Sequence, residues 1–188
     1  MINKKGDVWV SAVLYIALSM VIITLILSAG IPFIEKLGDK NTIAQTKTLL
    51  FNLDANIETV ADEGSGSTRF ISPFEIGKGS LNIIPGDPPS GQASKIIWSM
   101  TTKNLMMNPN KASTLESELE KFKEGALTMW MVETAVEGEY NIYIELDYPY
   151  YLDITSSPSA PPLAGKYSLS VSRKEDKAGY PVIEIRAT

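Results

Sequence analysis

With 188 residues, 44% of them hydrophobic and 9% aromatic, the chain is long enough for one ordinary β-domain plus a helical segment and too apolar for wholesale disorder. A formal charge of −5, with no basic run longer than Lys4-Lys5, excludes a phosphate-tracking surface, so no nucleic-acid partner is expected. The absence of Cys and His removes disulfide scaffolds, Cys/His zinc sites, thiol nucleophiles and histidine-based triads.

The apolar residues are concentrated at the N-terminus, where no charged side chain occurs from Val8 to Ile34. A helix over this stretch measures about 40 Å, against roughly 30 Å of bilayer hydrocarbon. Its hydroxyls, Ser11, Ser19, Thr24 and Ser28, belong to the small class that bonds back to the helix's own carbonyls. Trp9 stands where an interfacial anchor sits, and Leu14, Leu18, Ile22 and Leu25 supply the membrane or assembly surface. Lys4 and Lys5 before the segment favour a cytoplasmic N-terminus, with the remaining chain outside. Three fates are open to such a segment: cleavage as a secretory signal after the small residues Ser28, Ala29 and Gly30, retention as an anchor, or a cut just ahead of it. The apolar region of an ordinary signal runs only about 7–15 residues, which disfavours the first.

Lys4, Lys5 and Gly6, followed by Asp7 and then the apolar stretch, resemble the class III signal of archaeal type IV pilin-like proteins. The resemblance covers about the first 60 residues. It implies a leader of residues 1–6, removed at the Gly6–Asp7 bond by a prepilin peptidase-like protease on the cytoplasmic side. Loss of the two lysines takes the side-chain charge from −5 to −7. It also implies a homo-oligomeric filament as partner, together with an assembly ATPase and a membrane platform protein. Many bacterial relatives carry a glutamate early in the mature helix; here that position is Ser11, leaving the Asp7 carboxylate to neutralise the new terminal amine.

Gly30-Ile31-Pro32 predicts a kink or local melt, since proline removes a backbone donor and clashes one turn back. Gly38 to Asn41 predicts a second break, with Thr42 and Gln45 capping a fresh start. Ile43, Leu50, Leu53, Ile57 and Val60 then form one helical stripe suited to packing on the protein's own sheet, while Ile34 and Leu37 continue the membrane-helix surface. The helix should end at Gly64. The organisation read here is thus 1–6 leader, 7–63 transmembrane or assembly helix with its amphipathic extension, and 64–188 extracytoplasmic β-domain.

Beyond Thr68 the period becomes alternating. Tyr140, Ile142, Ile144, Leu146 and Tyr148 share one strand face, and Glu139, Asn141, Tyr143, Glu145 and Asp147 the other. Further strands are predicted at 70–76, 81–84, 96–102, Leu127–Glu133, 150–154, 167–172 and Val182–Ala187, with Gly77-Lys78-Gly79 as a hairpin turn. A satellite helix is predicted over 113–125, from the capping box Ser113/Glu116 and the stripe Leu115, Leu119 and Phe122 to Gly125. The proline-rich stretches 85–95 and 156–165 read as surface loops. The predicted fold is therefore α+β: a long N-terminal apolar helix, then an all-β head, either an antiparallel sandwich or a curled sheet, with one short satellite helix.

No phosphate-binding loop, dinucleotide fingerprint or Gly-x-Ser-x-Gly elbow occurs, and Gly86-Asp87-Pro88-Pro89 reads as a turn. The turn 173–177 sets two acids among three bases, poor in ligands for calcium, so neither metal nor cofactor is expected. Glu145, Asp147 and Asp153 near Tyr143, Tyr148, Tyr150 and Tyr151 compose a candidate sugar-binding face, although strand-formers with acids on a wet face give the same pattern. The functional expectation is a non-enzymatic structural subunit of a type IV pilus-like surface filament, made as a single-pass membrane protein. The alternative is a membrane-anchored surface protein whose head binds a cell-surface or carbohydrate ligand.

Overall fold

The computed structural model describes residues 4–149, 151–157, 162–177 and 179–188, the side chains of 4–8 and 117 excepted. Two compact units divide it, Met1–Lys40 and Asn41–Thr188. Its one α-helix among the described residues, α1 (Lys4–Glu63), begins in the first unit and ends in the second.

Neither expected break interrupts α1: Pro32 lies inside it, and the turn through Gly38 and Asn41 is helical. Proline forfeits one backbone bond there, at a cost of about 3 kcal/mol. Melting a whole turn amid apolar side chains would orphan several more groups, so the continuous helix wins. The C-terminus falls where glycine predicts it. Gly64 has φ 96°, Ser67 Oγ donates to Val60 O (3.0 Å) and Gly64 O (2.9 Å), and the Arg173 guanidinium donates to Ala61 O.

Eight strands follow: β1 (Thr68–Ile84), β2 (Lys95–Thr102), β3 (Phe122–Glu124), β4 (Leu127–Glu133), β5 (Tyr140–Asp147), β6 (Asp153–Ser157), β7 (Leu163–Arg173) and β8 (Val182–Ala187). They form one sheet in the order β3-β4-β5-β2-β1-β7-β8-β6, antiparallel except for the parallel pair β6–β8. The fold is α+β, and of the two architectures anticipated for the head it takes the single sheet. Leu50, Leu53, Ile57 and Val60 are fully buried in a core with Phe74, Leu81, Ile96, Trp98, Ile142, Ile144 and Val171, and Ile43 packs at its margin. The helical stripe of residues 43–60 thus does the work that the second sheet of a sandwich would do. At about 2 kcal/mol per buried side chain, its four central residues contribute roughly 8 kcal/mol before ordering entropy.

Four predicted elements are corrected. Gly77-Lys78-Gly79 is no hairpin turn, because β1 runs straight through it. Residues 68–76 of β1 pair with β7, residues 80–84 with β2, and the register shifts between Ile76 and Leu81. Gly79 sits at this bulge with φ 82°, where a Cβ would lie 2.3 Å from Ser99 O, and Trp98 Nε1 donates to Lys78 O (3.1 Å). The hairpin closes instead through 85–94, around the Asp87–Gln92 bridge.

The satellite helix is also absent: the segment 113–125 contains a 3-10 turn, Glu116–Glu118, and then β3. Its stripe has nothing to cover, with Leu115 and Phe122 both exposed. Asn110 holds the backbone extended: its side chain accepts from Glu120 N (2.7 Å) and donates to Glu120 O (3.2 Å), while its backbone bridges to Met131 O and Glu133 N. Tertiary hydrogen bonds outweigh a local capping box. Finally, the predicted strand 150–154 is displaced to β6, and the predicted loop 156–165 gives up its ends to β6 and β7; Tyr150 and residues 158–161 lie outside the described residues.

Candidate functional site

α1 from Trp9 onward is long and apolar enough to cross a membrane, and none of its most apolar window is buried within the protein. Every large apolar side chain from Trp9 to Ile34 is about half to three-quarters exposed, including Trp9, Leu14, Leu18, Ile22 and Leu25. Three of the four small hydroxyls bond back to the helix's own carbonyls. Ser19 Oγ donates to Tyr15 O (2.7 Å), Thr24 Oγ1 to Met20 O (2.8 Å) and Ser28 Oγ to Leu25 O (2.9 Å). A helical surface that is apolar all round suits a medium without water. A typical soluble monomer exposes no apolar patch beyond a few hundred Å2, and covering these side chains is worth on the order of 20 kcal/mol at about 2 kcal/mol each, scaled for partial exposure. Lys4, Lys5, Gly6 and Asp7 form the first turns of α1, and their side chains, like residues 1–3, lie outside the described residues.

Among the described residues, the acidic and aromatic side chains considered from the sequence divide between different parts of the sheet. Tyr143, on the outer face of β5, stacks on Trp130 at 5.2 Å between ring centroids, and Lys121 Nζ lies 4.7 Å over that Trp130 ring. Glu145 is buried beside them and pairs with Lys95 at 3.0 Å, which raises the lysine above its ordinary range. Tyr148 turns the other way, into the core opposite α1. There its hydroxyl faces Asp54, and burial lifts both groups above their usual ranges. Asp153 opens β6 at the far edge of the sheet. Tyr143 and Glu145 are thus engaged with Trp130 and Lys95, Tyr151 is exposed, and Tyr150 lies outside the described residues.

What the sequence did not reveal is a buried polar pin. Ser94 is fully buried; its Oγ accepts from Gly86 N (2.9 Å) and Ile154 N (2.9 Å) and donates to Leu152 O (3.2 Å), while its carbonyl accepts from Tyr148 N (3.0 Å). One serine thus joins the β1–β2 connection to β6. Only its place in a stretch read as a surface loop was visible beforehand.

Among the described residues, no three His, Cys, Asp or Glu side chains converge as a metal cluster. No protein-family profile, curated protein or solved structure matches the chain. Fold and surface together define an α+β protein with one exposed, membrane-length N-terminal helix and a β-rich head built on a single mixed sheet.

Proposed function

We propose that this chain is a pilin-like structural subunit of a surface filament, inserted in the membrane through α1 before assembly, with its N-terminus inside and its head outside. The observation that carries the reading is the uncharged, exposed helical surface from Trp9 to Ile34, which demands lipid or sister helices around it. On leaving the bilayer, α1 exchanges lipid contacts for those of neighbouring copies, so assembly rests on close packing and needs no soluble intermediate. Leu14, Leu18, Ile22 and Leu25 form the packing surface, and Pro32 bends or adapts the helix within the bundle. Lys4 and Lys5 hold the leader inside, and Gly6 gives the peptidase a small residue at the bond to Asp7. The resemblance of this signal to archaeal class III signals supports the processing step, the peptidase, the ATPase and the platform protein.

Mass spectrometry of the native N-terminus, joined to imaging of sheared surface material, tests the proposal. A chain beginning at Asp7 within filaments is the expected result. Replacing Gly6 by Leu is expected to block both processing and filament formation while the head stays folded. A monomer retaining Met1 in the membrane refutes the filament reading and favours the anchored surface protein.

A further inference from the structure

The outer face of the sheet, turned away from the helical stripe of residues 43–60, is dressed differently in its two halves. Across β4, β5 and β2 it is filled, with Trp130 stacked on Tyr143 and Glu145 paired with Lys95. Across β1, β7 and β8 it carries short hydroxyls around one bare aromatic ring. Phe70 is 79% exposed, although the next residue, Ile71, is buried in the core.

Strand pairing fixes what surrounds that ring. Phe70 lies opposite Ser170 of β7, and Ser170 lies opposite Arg186 of β8. Two residues along, Thr68, Ser172 and Glu184 form the next row. Leu169, Val171, Ile183 and Ile185 alternate with these positions and are buried, so Ser170, Ser172, Glu184 and Arg186 point outward with Phe70. Ser168 continues the line of serines and shares a hydrogen bond with Ser72 Oγ (2.9 Å), while Thr68 Oγ1 donates to Ser172 Oγ (3.3 Å). These side chains make a trough. Ser168, Ser170 and Ser172 form its floor, with Phe70 as one wall and Glu184 with Arg186 as the other. At about 4.8 Å between strands and 3.4 Å per residue, the walls are rooted about 10 Å apart and the floor runs about 14 Å.

What fits there follows from the chemistry of the lining. Glu184 is held by Lys174 at 2.9 Å and by Arg186 at 3.4 Å, and Glu75 stands opposite Lys166. Two acids against three bases leave a net charge of +1, which neither holds a polyanion nor draws a polycation. A serine hydroxyl has one donor and two acceptor sites, so a bond to its neighbour leaves capacity facing outward. The Arg186 guanidinium is half exposed and turns one of its nitrogens to Glu184. A peptide strand would need free backbone groups, and those of β1, β7 and β8 pair with one another here. A bare ring, a row of two-way hydroxyls and a guanidinium fork suit a partner with an apolar face and a rim of hydroxyls, which is a pyranose.

We propose that the serine-floored trough between Phe70 and Arg186 binds a neutral, β-1,4-linked oligosaccharide, with one sugar ring stacked on Phe70 and its hydroxyls held by the serines, Arg186 and Glu184. The flat strand surface selects an extended chain of rings over a coiled one. Every residue of the site belongs to the head, so binding requires no filament.

Titration of the isotope-labelled, full-length protein with cellotriose, in micelles of dodecylphosphocholine because that detergent has no sugar headgroup, tests the site through amide shifts. Expected are saturable shifts at Phe70, Ser170, Ser172 and Arg186, with maltotriose, whose α-linked chain coils, binding at least fivefold more weakly. Phe70→Ala should weaken cellotriose binding at least tenfold, Arg186→Gln severalfold, and Ser170→Leu should abolish it by filling the floor. Phe70→Ala should keep the parent's thermal midpoint, because the ring packs against little. Should the midpoint fall, Arg186→Gln and Ser170→Leu decide alone. The absence of saturable shifts at these amides overturns the proposal, as does cellotriose binding that survives these substitutions or maltotriose binding of equal strength. Shifts of the same amides with protein concentration alone also overturn it, since a second copy would then be the occupant.

Discussion

Replacing Ser94 by Ala removes one oxygen and disconnects three places. Gly86 N and Ile154 N lose their acceptor at 2.9 Å, and Leu152 O loses its donor at 3.2 Å. The site is fully buried, and the methyl that remains can pair with none of them. An orphaned buried group costs about 1–3 kcal/mol; allowing for partial relaxation of three neighbours, the loss should be about 3–5 kcal/mol. For a protein of this size each kcal/mol moves the midpoint by about 2–4 °C, so a fall of roughly 6–20 °C is expected. Thermal unfolding followed by tryptophan fluorescence reads it, because Trp98 is buried in the core that the pin closes. Ser90→Ala is the matched control: its Oγ donates to Asp87 O from an exposed position, and the midpoint should barely move. If both variants melt within 2 °C of the parent, Ser94 is not what joins the β1–β2 connection to β6.

Leu53→Ala empties a fully buried position on the α1 stripe and should cost about 2–5 kcal/mol, measured by denaturant unfolding, with unchanged membrane partitioning. Gly79→Ala places a Cβ 2.3 Å from Ser99 O at φ 82°, so the β1 bulge must rearrange; faster amide exchange in β1 and β2 and a loss above about 2 kcal/mol are expected. Burial raises the Asp54 carboxyl in the folded state, so the native protein holds that proton more tightly than the unfolded chain. Its contribution is therefore favourable at low pH and declines as pH climbs from about 4 through the raised value. Asp54→Asn should flatten that slope and raise neutral-pH stability, as midpoints recorded from pH 4 to 7 will reveal.

Local chemistry made much of this protein legible. The uncharged run of residues 8–34, the stop at Gly64, the stripe Leu50, Leu53, Ile57 and Val60, and strands such as Leu127–Glu133 and Val182–Ala187 follow from periodicity and glycine geometry alone. Those signals are local in the chain, and burial reads them faithfully wherever one face is clearly apolar. Proline and glycine misled at 30–41, because a helix keeps more backbone bonds by absorbing one defect than by breaking. The helix predicted over 113–125 yielded to the grip of Asn110 on Glu120, and the turn at Gly77–Gly79 yielded to two different partner strands for one long β1.

The tertiary structure alone decided the single mixed sheet with helix 41–63 against it, the pin at Ser94, and the meeting of Phe70, Ser170 and Arg186. Strand order and side-chain convergence depend on which distant segments satisfy one another's hydrogen bonds and fill one another's volume. That choice is made by the whole chain at once, so no local window of sequence records it.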